Sequence, residues 1–398
     1  MFFQGGFHAF PGGQVDPGED ARVCAAREIH EEIGVELDPA TLLDVGRWVT
    51  PAFAPRRFDT HFFLAELPDG EEARVMTTEH DQGEWIRPSD ALQRWMNGEI
   101  LIVSPILHAL RTLAAGLDRI QERMKSVPSA HGEPSAEIET RPGIVLVPVR
   151  TPTLPPATHT NCYVVGGDEV VVIDPASPYE EEQQLLDNVI ERRGCRIREI
   201  WLTHLHRDHV GGANHLRDRW NAKVVTHPIT AADLAGVIPV DRTFADNERV
   251  ELIGSPGWSL QVFHTPGHAR GHVCIFEAKY GSLITGDLMA GVGTIVIDPP
   301  EGHMATYFDS LRRMQALHVS ALFPSHGPVM ANAKTKIQEY LDHRLMRETR
   351  ILEAWNAGVR STEQIVERVY TDVPPAMHGL AARSVVAHLE KLREESLL

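Results

Sequence analysis

The sequence predicts an α/β protein built from more than one domain. Short apolar runs that read as strands alternate with helical stripes through the middle of the chain. Several of those runs end in His or Asp beside Gly, as where a buried strand hands over to a loop that carries chemistry. The length, 398 residues, exceeds one ordinary core and calls for two or three.

The formal net charge is −17 and the sequence pI is near 5.6. An acidic surface repels polyanions, so broad nucleic-acid binding by phosphate neutralisation is disfavoured, although a local basic groove stays compatible with it. Cys24, Cys162, Cys195 and Cys274 are scattered and form no CxxC pair. They read as reduced thiols, mostly in the core, of a cytoplasmic protein. No apolar run approaches a membrane span, and Met1-Phe2-Phe3-Gln4-Gly5-Gly6 lacks the basic start and apolar core of a signal peptide.

Near the N-terminus, Gly13 is followed by Glu19 and then by Arg27-Glu28-Ile29-His30-Glu31-Glu32-Ile33-Gly34-Val35. Glu28, Glu31 and Glu32 lie at i, i+3 and i+4 of a helix and share a face, where carboxylates repel unless cations sit among them. Such hard oxygen donors suit Mg²⁺ or Mn²⁺, which in turn hold a pyrophosphate. The pattern resembles the Nudix box at every fixed position. The resemblance implies that Glu28, Glu31 and Glu32 are metal ligands, with Glu31 catalytic, and that Arg27 pairs with a box glutamate. It also implies a nucleoside diphosphate-X or coenzyme A-like substrate. Only residues 1–12 precede the box, and Phe7-His8-Ala9-Phe10 is the one stretch there that fits a strand. An incomplete α/β/α domain is therefore expected over residues 1–115. Either the true start lies upstream or the domain has decayed into a partner surface. Survival of every box position favours the first, so an intact metal-binding box with weak or absent turnover is expected.

Residues 51–64 end in an apolar strand and resemble Nudix proteins related to coenzyme A diphosphatases. Arg56 and Arg57 there either contact substrate phosphate or are plain surface charges. Glu84-Trp85-Ile86 reads as a strand, and a helix follows Pro88 with Ser89 or Asp90 near its cap. Another helix is predicted over Pro105 to Leu113. Residues 116–142 change character: Lys125 to Ser135 is polar, with Pro and Gly and no apolar period, and reads as an interdomain linker.

From Gly143 onward, strands are predicted at 144–147, 163–165, 169–174 and 199–204, with a helix over about 180–193. The last of these strands runs into Thr203-His204-Leu205-His206-Arg207-Asp208-His209-Val210-Gly211-Gly212. His204 and His206 are two apart and point to one side of an extended segment, while Asp208 and His209 sit where the chain turns. One short loop can thus offer imidazole and carboxylate ligands to two neighbouring metals. Further ligand-type residues follow apolar strands: His268 after Leu260-Gln261-Val262-Phe263, Asp287 after Ser282-Leu283-Ile284, and His326 after Ala321-Leu322-Phe323. One edge of a single sheet is expected to gather them. His215 and His227 read as helix-surface or core residues, and His272 as either a support for the ligands or a substrate contact.

This set resembles the metallo-β-lactamase superfamily in its two-metal hydrolase form, with no ligand of the pattern missing. The resemblance implies an αββα sandwich over residues 143–333. It assigns His204, His206 and His268 to a first metal, and Asp208, His209 and His326 to a second. Asp287 bridges the two, and Asp208 and Asp287 are catalytic. The expected metals are two Zn²⁺, with Mn²⁺ or Fe as alternatives. Such a pair shares a hydroxide, polarises a carbonyl or phosphoryl oxygen and steadies a leaving group. No Ser-His-Asp or Cys-His arrangement is needed.

After His326, Lys334 to Trp355 reads as one long helix, and two more helices follow around Ile365 and over 381–392. Residues 334–398 resemble the small helical, winged-helix-like domain attached to the β-lactamase-like protein 2 group. Arg383, Lys391 and Arg393 on the last helix are offset by Glu390, Glu394 and Glu395. Packing or homodimerisation is at least as fitting a role as DNA reading, and tight duplex binding is not expected.

Two enzyme readings follow: hydrolysis of a small-molecule thioester or phosphoester, and single-stranded RNA cleavage of the β-lactamase-like protein 2 type. Asp287 and His326 are too close in sequence to admit the extra domain of the β-CASP nucleases. The acidity and the attached Nudix unit lean toward the small molecule. A third reading, of another class, is a regulatory or binding protein with a structural metal site, which need not hold two tight metals. No membrane partner is expected.

Overall fold

The structure is a computed structural model that describes residues 5–51, 54, 57–78, 80, 82–133, 135–254 and 257–398. Arg56 lies outside the described residues. The chain divides into two compact units, residues 1–142 and 143–398. Among the described residues, no helix is long and apolar enough to cross a membrane.

The first unit is organised on helix α1 (Ala21–Ile33). Asp20 caps its start by accepting from the Arg22 amide at 2.9 Å, and Gly34 ends it at φ 73°, a left-handed conformation that glycine adopts without steric cost. Strands β1 (Leu43–Val49) and β2 (Asp59–Leu64) pair antiparallel. Helices α2 (Pro88–Met96), α3 (Ser104–Ala114) and α4 (Ile120–Met124) and strand β3 (Ile138–Arg141) complete the unit.

Several expectations change here. Residues 84–86 form no strand, and Trp85 is 73% exposed. Helix α2 is capped at Arg87 with Pro88 in its first turn and no side-chain cap, so Ser89 and Asp90 lie inside it. Phe7 to Phe10 supply one isolated bridge, His8 to Ile102, rather than a strand. The stretch expected as a linker is partly structured. Ile120 and Met124 of α4 are buried with Val45 and Ala109, and Arg141 donates to the Gly98 and Ile100 carbonyls. The polar composition hid that packing because few apolar residues carry it.

The second unit contains two sheets. The first runs in order through β4 (Ile144–Arg150), β5 (His159–Gly166), β6 (Glu169–Ile173), β7 (Arg196–Trp201), β8 (Lys223–Thr226) and β9 (Arg242–Thr243). Pairing is antiparallel up to β6 and parallel from β6 to β9. Parallel neighbours need crossovers, supplied by α5 (Glu180–Arg193), by α6 (Arg207–Val210) with α7 (Ala213–Trp220), and by α8 (Pro228–Asp233). The second sheet runs through β10 (Arg249–Leu252), β11 (Trp258–His264), β12 (Val273–Glu277), β13 (Ser282–Gly286), β14 (Ala321–Pro324) and β15 (Met330–Ala331). Helix α9 (Met304–Gln315) makes its one parallel crossover, between β13 and β14.

Helices cover the outer faces. Phe263, Leu283 and Leu322 of the second sheet pack with Met304, Tyr307 and Leu311 of α9 and Ile337 and Leu341 of α10 (Ala333–Asn356). Both faces of β6 and β13 are buried, and Val170-Val171-Val172-Ile173 and Leu283-Ile284 supply apolar side chains to both. A buried polar link joins the sheets. Asn161 of β5 donates through Nδ2 to the Pro324 and Gly327 carbonyls at 2.8 Å, and Tyr163 donates its hydroxyl to Pro324 at 2.7 Å. Helices α11 (Thr362–Val369) and α12 (His378–Glu394) close a small core with the C-terminal half of α10, including Ile351, Ile365, Val385 and Leu389.

Candidate metal centre

The ligand-type residues meet where strands end, but both sheets supply them. His204, His206, Asp208 and His209 follow β7 of the first sheet; His268, Asp287 and His326 follow β11, β13 and β14 of the second. The expectation of a single sheet edge is corrected accordingly. An apolar run shows that a strand is buried, not which sheet it joins.

Three overlapping groups bring ligand atoms within 4.8 Å of one another: His204, His206 and His268; His204, His209 and Asp287; and Asp208, His209 and His326. The first and third coincide with the two triplets assigned from the sequence. Asp287 faces both. Its Oδ2 lies 3.4 Å from His268 Nε2, while its Oδ1 lies 3.6 Å from His209 Nε2 and 3.5 Å from His326 Nε2.

The imidazoles are aimed by their outer nitrogens. His268 Nδ1 donates to the Val296 carbonyl at 2.8 Å, and His326 Nδ1 to the His159 carbonyl at 3.0 Å. His209 Nδ1 donates to Asp174 at 2.9 Å. His204 Nδ1 sits 2.9 Å from Thr203 Oγ1, whose own proton goes to Asp174 at 2.6 Å. Each Nε2 is thereby left as a lone pair pointing inward. His206 instead presents Nδ1, which lies 3.0 Å from His204 Nε2 and 2.9 Å from His268 Nε2. Lone pairs that close repel unless a cation or proton sits among them.

Burial leaves donors unmatched. His209 Nε2 and Asp287 Oδ1 are buried and have no hydrogen-bond partner among the described residues. Unpaired buried polar atoms are costly, and a divalent ion would satisfy both. The chemistry of the donors fits one: borderline imidazole nitrogens with carboxylates. Burial pushes His204 well below the ordinary histidine pKa, and burial with the neighbouring His268 takes His206 down to about 4. Burial opposes ionisation of Asp287, yet His326 and His209 outweigh it and hold the carboxyl well below its ordinary range. The first triplet thus favours neutral imidazoles at His204 and His206, the state that ligates metals. At His209 and His326, by contrast, burial is outweighed by the Asp287 carboxylate, which pushes both up, so that a proton competes with a metal ion there.

Sequence reasoning missed two supporting residues, Asp174 and Thr203. Asp174 accepts from the Thr203 amide at 2.7 Å besides Thr203 Oγ1 and His209, and so fixes two ligand-bearing positions. In the sequence it is only an acid before Pro175 at a strand end. Thr203 was visible only as part of the motif. His272, left open between support and substrate contact, is fully buried. Its Nε2 accepts from the Asp287 amide at 3.0 Å, which excludes substrate contact. Gly286 permits this approach: its φ is 50°, and a Cβ there would lie 2.5 Å from His272 Nε2. His215 pairs with Asp187 at 2.8 Å and His227 caps α8, so neither joins the site.

In the other unit the box residues lie together along α1. Arg27 donates to Glu19 at 3.0 Å, to Glu28 at 2.8 Å and to Glu31 at 3.2 Å, and the first of these holds the Glu19 carboxyl down at about 2. Glu32 accepts from the Gly12 amide at 2.9 Å and lies 3.1 Å from His80 Nε2. A Cβ at Gly13 would fall 1.9 Å from the Glu28 carboxyl carbon, so a larger residue there would displace the Glu28 side chain. Among the described residues, Glu28, Glu31 and Glu32 are not gathered into one ligand group, because Arg27 occupies the space between two of them. Arg57 donates to the Thr50 carbonyl at 3.0 Å.

Comparison with known proteins matches three family models: the metallo-beta-lactamase superfamily over residues 155–326, the NUDIX domain over 2–102, and the beta-lactamase associated winged helix domain over 361–397. A beta-lactamase-like protein 2 homolog of Drosophila melanogaster is 31% identical over 252 residues, which cover 60% of this chain and 84% of that protein. An atrochrysone carboxyl ACP thioesterase of Emericella nidulans is 28% identical over 52% of this chain and 65% of that protein. Among solved structures, a beta-lactamase domain protein from Burkholderia ambifaria superposes with a TM-score of 0.56 at 22% identity, over 67% of this chain and 92% of that one.

Proposed function

Because the chain belongs to the metallo-beta-lactamase superfamily, with a NUDIX domain before that fold and a winged helix domain after it, we propose that residues 143–333 form a binuclear metal site that hydrolyses a thioester or small phosphoester. The superfamily makes the chain a hydrolase, and both catalytic folds imply divalent metals. One observation carries the binuclear reading: the two oxygens of Asp287 face two separate ligand triplets, and buried donors between them lack partners.

In this reading His204, His206 and His268 hold one ion, and Asp208, His209 and His326 the other. Bound there, the ions supply Lewis acidity and bring a water's pKa toward neutrality. The chain's own residues do the rest. Asp287, with one oxygen toward each triplet, would help hold both ions and orient an attacking water. Asp174 and Thr203 hold His204 and His209 in the ligating tautomer, and His272 fixes the Asp287 backbone. Zn²⁺ is the ion proposed, with Mn²⁺ or Fe as the alternatives the donor set admits.

The thioester is preferred on two grounds. A relative carries a thioesterase name, and the charge of −17 opposes a polyanionic substrate such as single-stranded RNA. For the NUDIX unit we propose Mg²⁺ or Mn²⁺ at Glu28, Glu31 and Glu32 and a coenzyme A-like pyrophosphate substrate. Turnover is expected to be weak, since the described box helix has only a two-stranded sheet beside it.

The test is a substrate panel on metal-analysed full-length protein: an acyl-coenzyme A, an acylglutathione, a short single-stranded RNA and a bis-phosphodiester. We expect close to two transition metals per chain and thioester hydrolysis. In Asp287→Ala, hydrolysis should vanish and one metal should be lost while the fold is kept. Fewer than one metal after reconstitution would end the binuclear reading, and cleavage of RNA alone would replace the substrate class. For the other unit, Mg²⁺-dependent cleavage of coenzyme A and ADP-ribose is compared with Glu31→Gln. Robust turnover that the variant abolishes would overturn the expectation of weakness.

A further inference from the structure

We infer that helix α10 acts as a clamp on the loop between Asp287 and Val296, with Tyr340 and Arg344 as positioning residues for the metal centre. The inference rests on the binuclear reading above. The loop begins at one candidate ligand and ends at the carbonyl that aims another, since Val296 accepts from His268 Nδ1 at 2.8 Å. Its backbone is held by helical side chains at three points. Tyr307 of α9 donates to the Leu288 carbonyl at 2.8 Å, one residue past Asp287. Tyr340 of α10 accepts from the Ala290 amide at 2.9 Å and donates to the Ala290 carbonyl at 2.7 Å. Arg344, one helical turn further, donates to the Ile295 carbonyl and to Thr294 Oγ1, next to Val296.

Arg344 is 3% exposed. Among the described residues no carboxylate pairs with it; its partners are those two neutral oxygens and the face of the Tyr307 ring, 5.3 Å away. A buried guanidinium without a counter-ion is costly, so such a side chain is a demanding way to hold a loop. Three residues along the same helix, Arg347 is buried as deeply but faces elsewhere. It donates to the Val369 carbonyl at 2.6 Å and to both oxygens of the exposed Asp372 at 2.8 and 2.7 Å, at the edge of the C-terminal helical core. The two arginines separate two jobs of one helix. Metal ligands must be held within about 0.5 Å of their working geometry. A loop fastened at Leu288, Ala290 and Ile295 fixes Asp287 and the acceptor of His268 together.

The experiment uses the full chain with Tyr340→Phe, Arg344→Met and, as control, Arg347→Met. Tyr340→Phe keeps the ring and removes one oxygen, so it reports even where Arg344→Met fails to fold. Each protein is loaded with Co²⁺, its visible spectrum recorded, and its affinity measured against a chromophoric chelator. We expect two Co²⁺ per chain in the parent. Tyr340→Phe and Arg344→Met should weaken binding by about tenfold or more and shift the ligand-field bands. Arg347→Met should lower the thermal midpoint and leave affinity and spectrum unchanged. Parent-like affinity and spectrum in both loop variants would overturn the clamp alone, as would an equal loss in Arg347→Met. A parent that takes up no metal would remove the binuclear reading and the clamp with it.

Discussion

Asp174 shows how much one side chain outside the ligand set can carry. Its φ is 49°, a left-handed conformation that costs an L residue about 1–2 kcal/mol. In return its two oxygens satisfy the Thr203 amide, the Thr203 hydroxyl and His209 Nδ1, all of them buried. Asp174→Asn keeps the shape and removes the charge. It should weaken metal binding by about 10- to 100-fold, read by chelator competition, and unchanged affinity would show that Asp174 only fills space. The sequence makes the ligands legible because imidazoles at a strand end have few other uses. It hides Asp174, whose partners stand 29 and 35 positions away. His272, four places after a ligand, reads equally as a support or as a substrate contact, and its complete burial decides for the support.

Helices were easier to read than short strands. The stripe from Ile337 to Leu352 is long enough to show its period, and α10 spans it. Glu84 to Ile86 is too short for a period to decide, and Trp85 points to solvent. At this scale α10 and α12 share a buried ionic group. Glu348 lies 3.1 Å from His388 Nδ1 and 2.7 Å from Lys391 Nζ. Burial pushes His388 below its ordinary 6.5. Burial opposes the charge on Glu348, but His388 and Lys391 hold it below its ordinary 4.5. Both shifts mean that the unfolded chain takes up protons before the folded one. Stability is therefore full above about pH 6.5 and falls as pH drops through that value, through His388 first and Glu348 below pH 4.5. Thermal midpoints at pH 7.5 and 5.5 should show a smaller acid loss in His388→Gln than in the parent; an equal loss would place the effect elsewhere.

Across the whole molecule, the metals and the two compact units predict a split response to a chelator. The candidate ligands of the binuclear site all lie in residues 143–398 and come from two sheets of that unit. Ions that bind the folded form alone stabilise it, by about 2.7 kcal/mol at a free concentration 100-fold above Kd. Chelation with a zinc-selective reagent should lower the calorimetric transition of this unit and leave that of residues 1–142 in place. A joint shift would mean that the units unfold as one. Composition and the first apolar strands put the start of the second domain at Gly143, and the structure divides the chain after Pro142. The polar run after Lys125 reads as a free linker, whereas the structure keeps residues 116–142 with the first unit.

The exposure of Trp85 has an optical consequence. Of the seven tryptophans, it alone is exposed among the described residues, and it belongs to the first unit. Trp201 is fully buried at the end of β7, three positions before His204. Neutral acrylamide, unlike iodide, is not repelled by an acidic surface. It should dim the red-shifted emission of Trp85 and barely touch the blue-shifted emission of Trp201. Trp85→Phe should remove the most quenchable component and raise the share of emission from the buried tryptophans, among them Trp201 beside the metal loop, through which occupancy of the centre can be followed in the full chain.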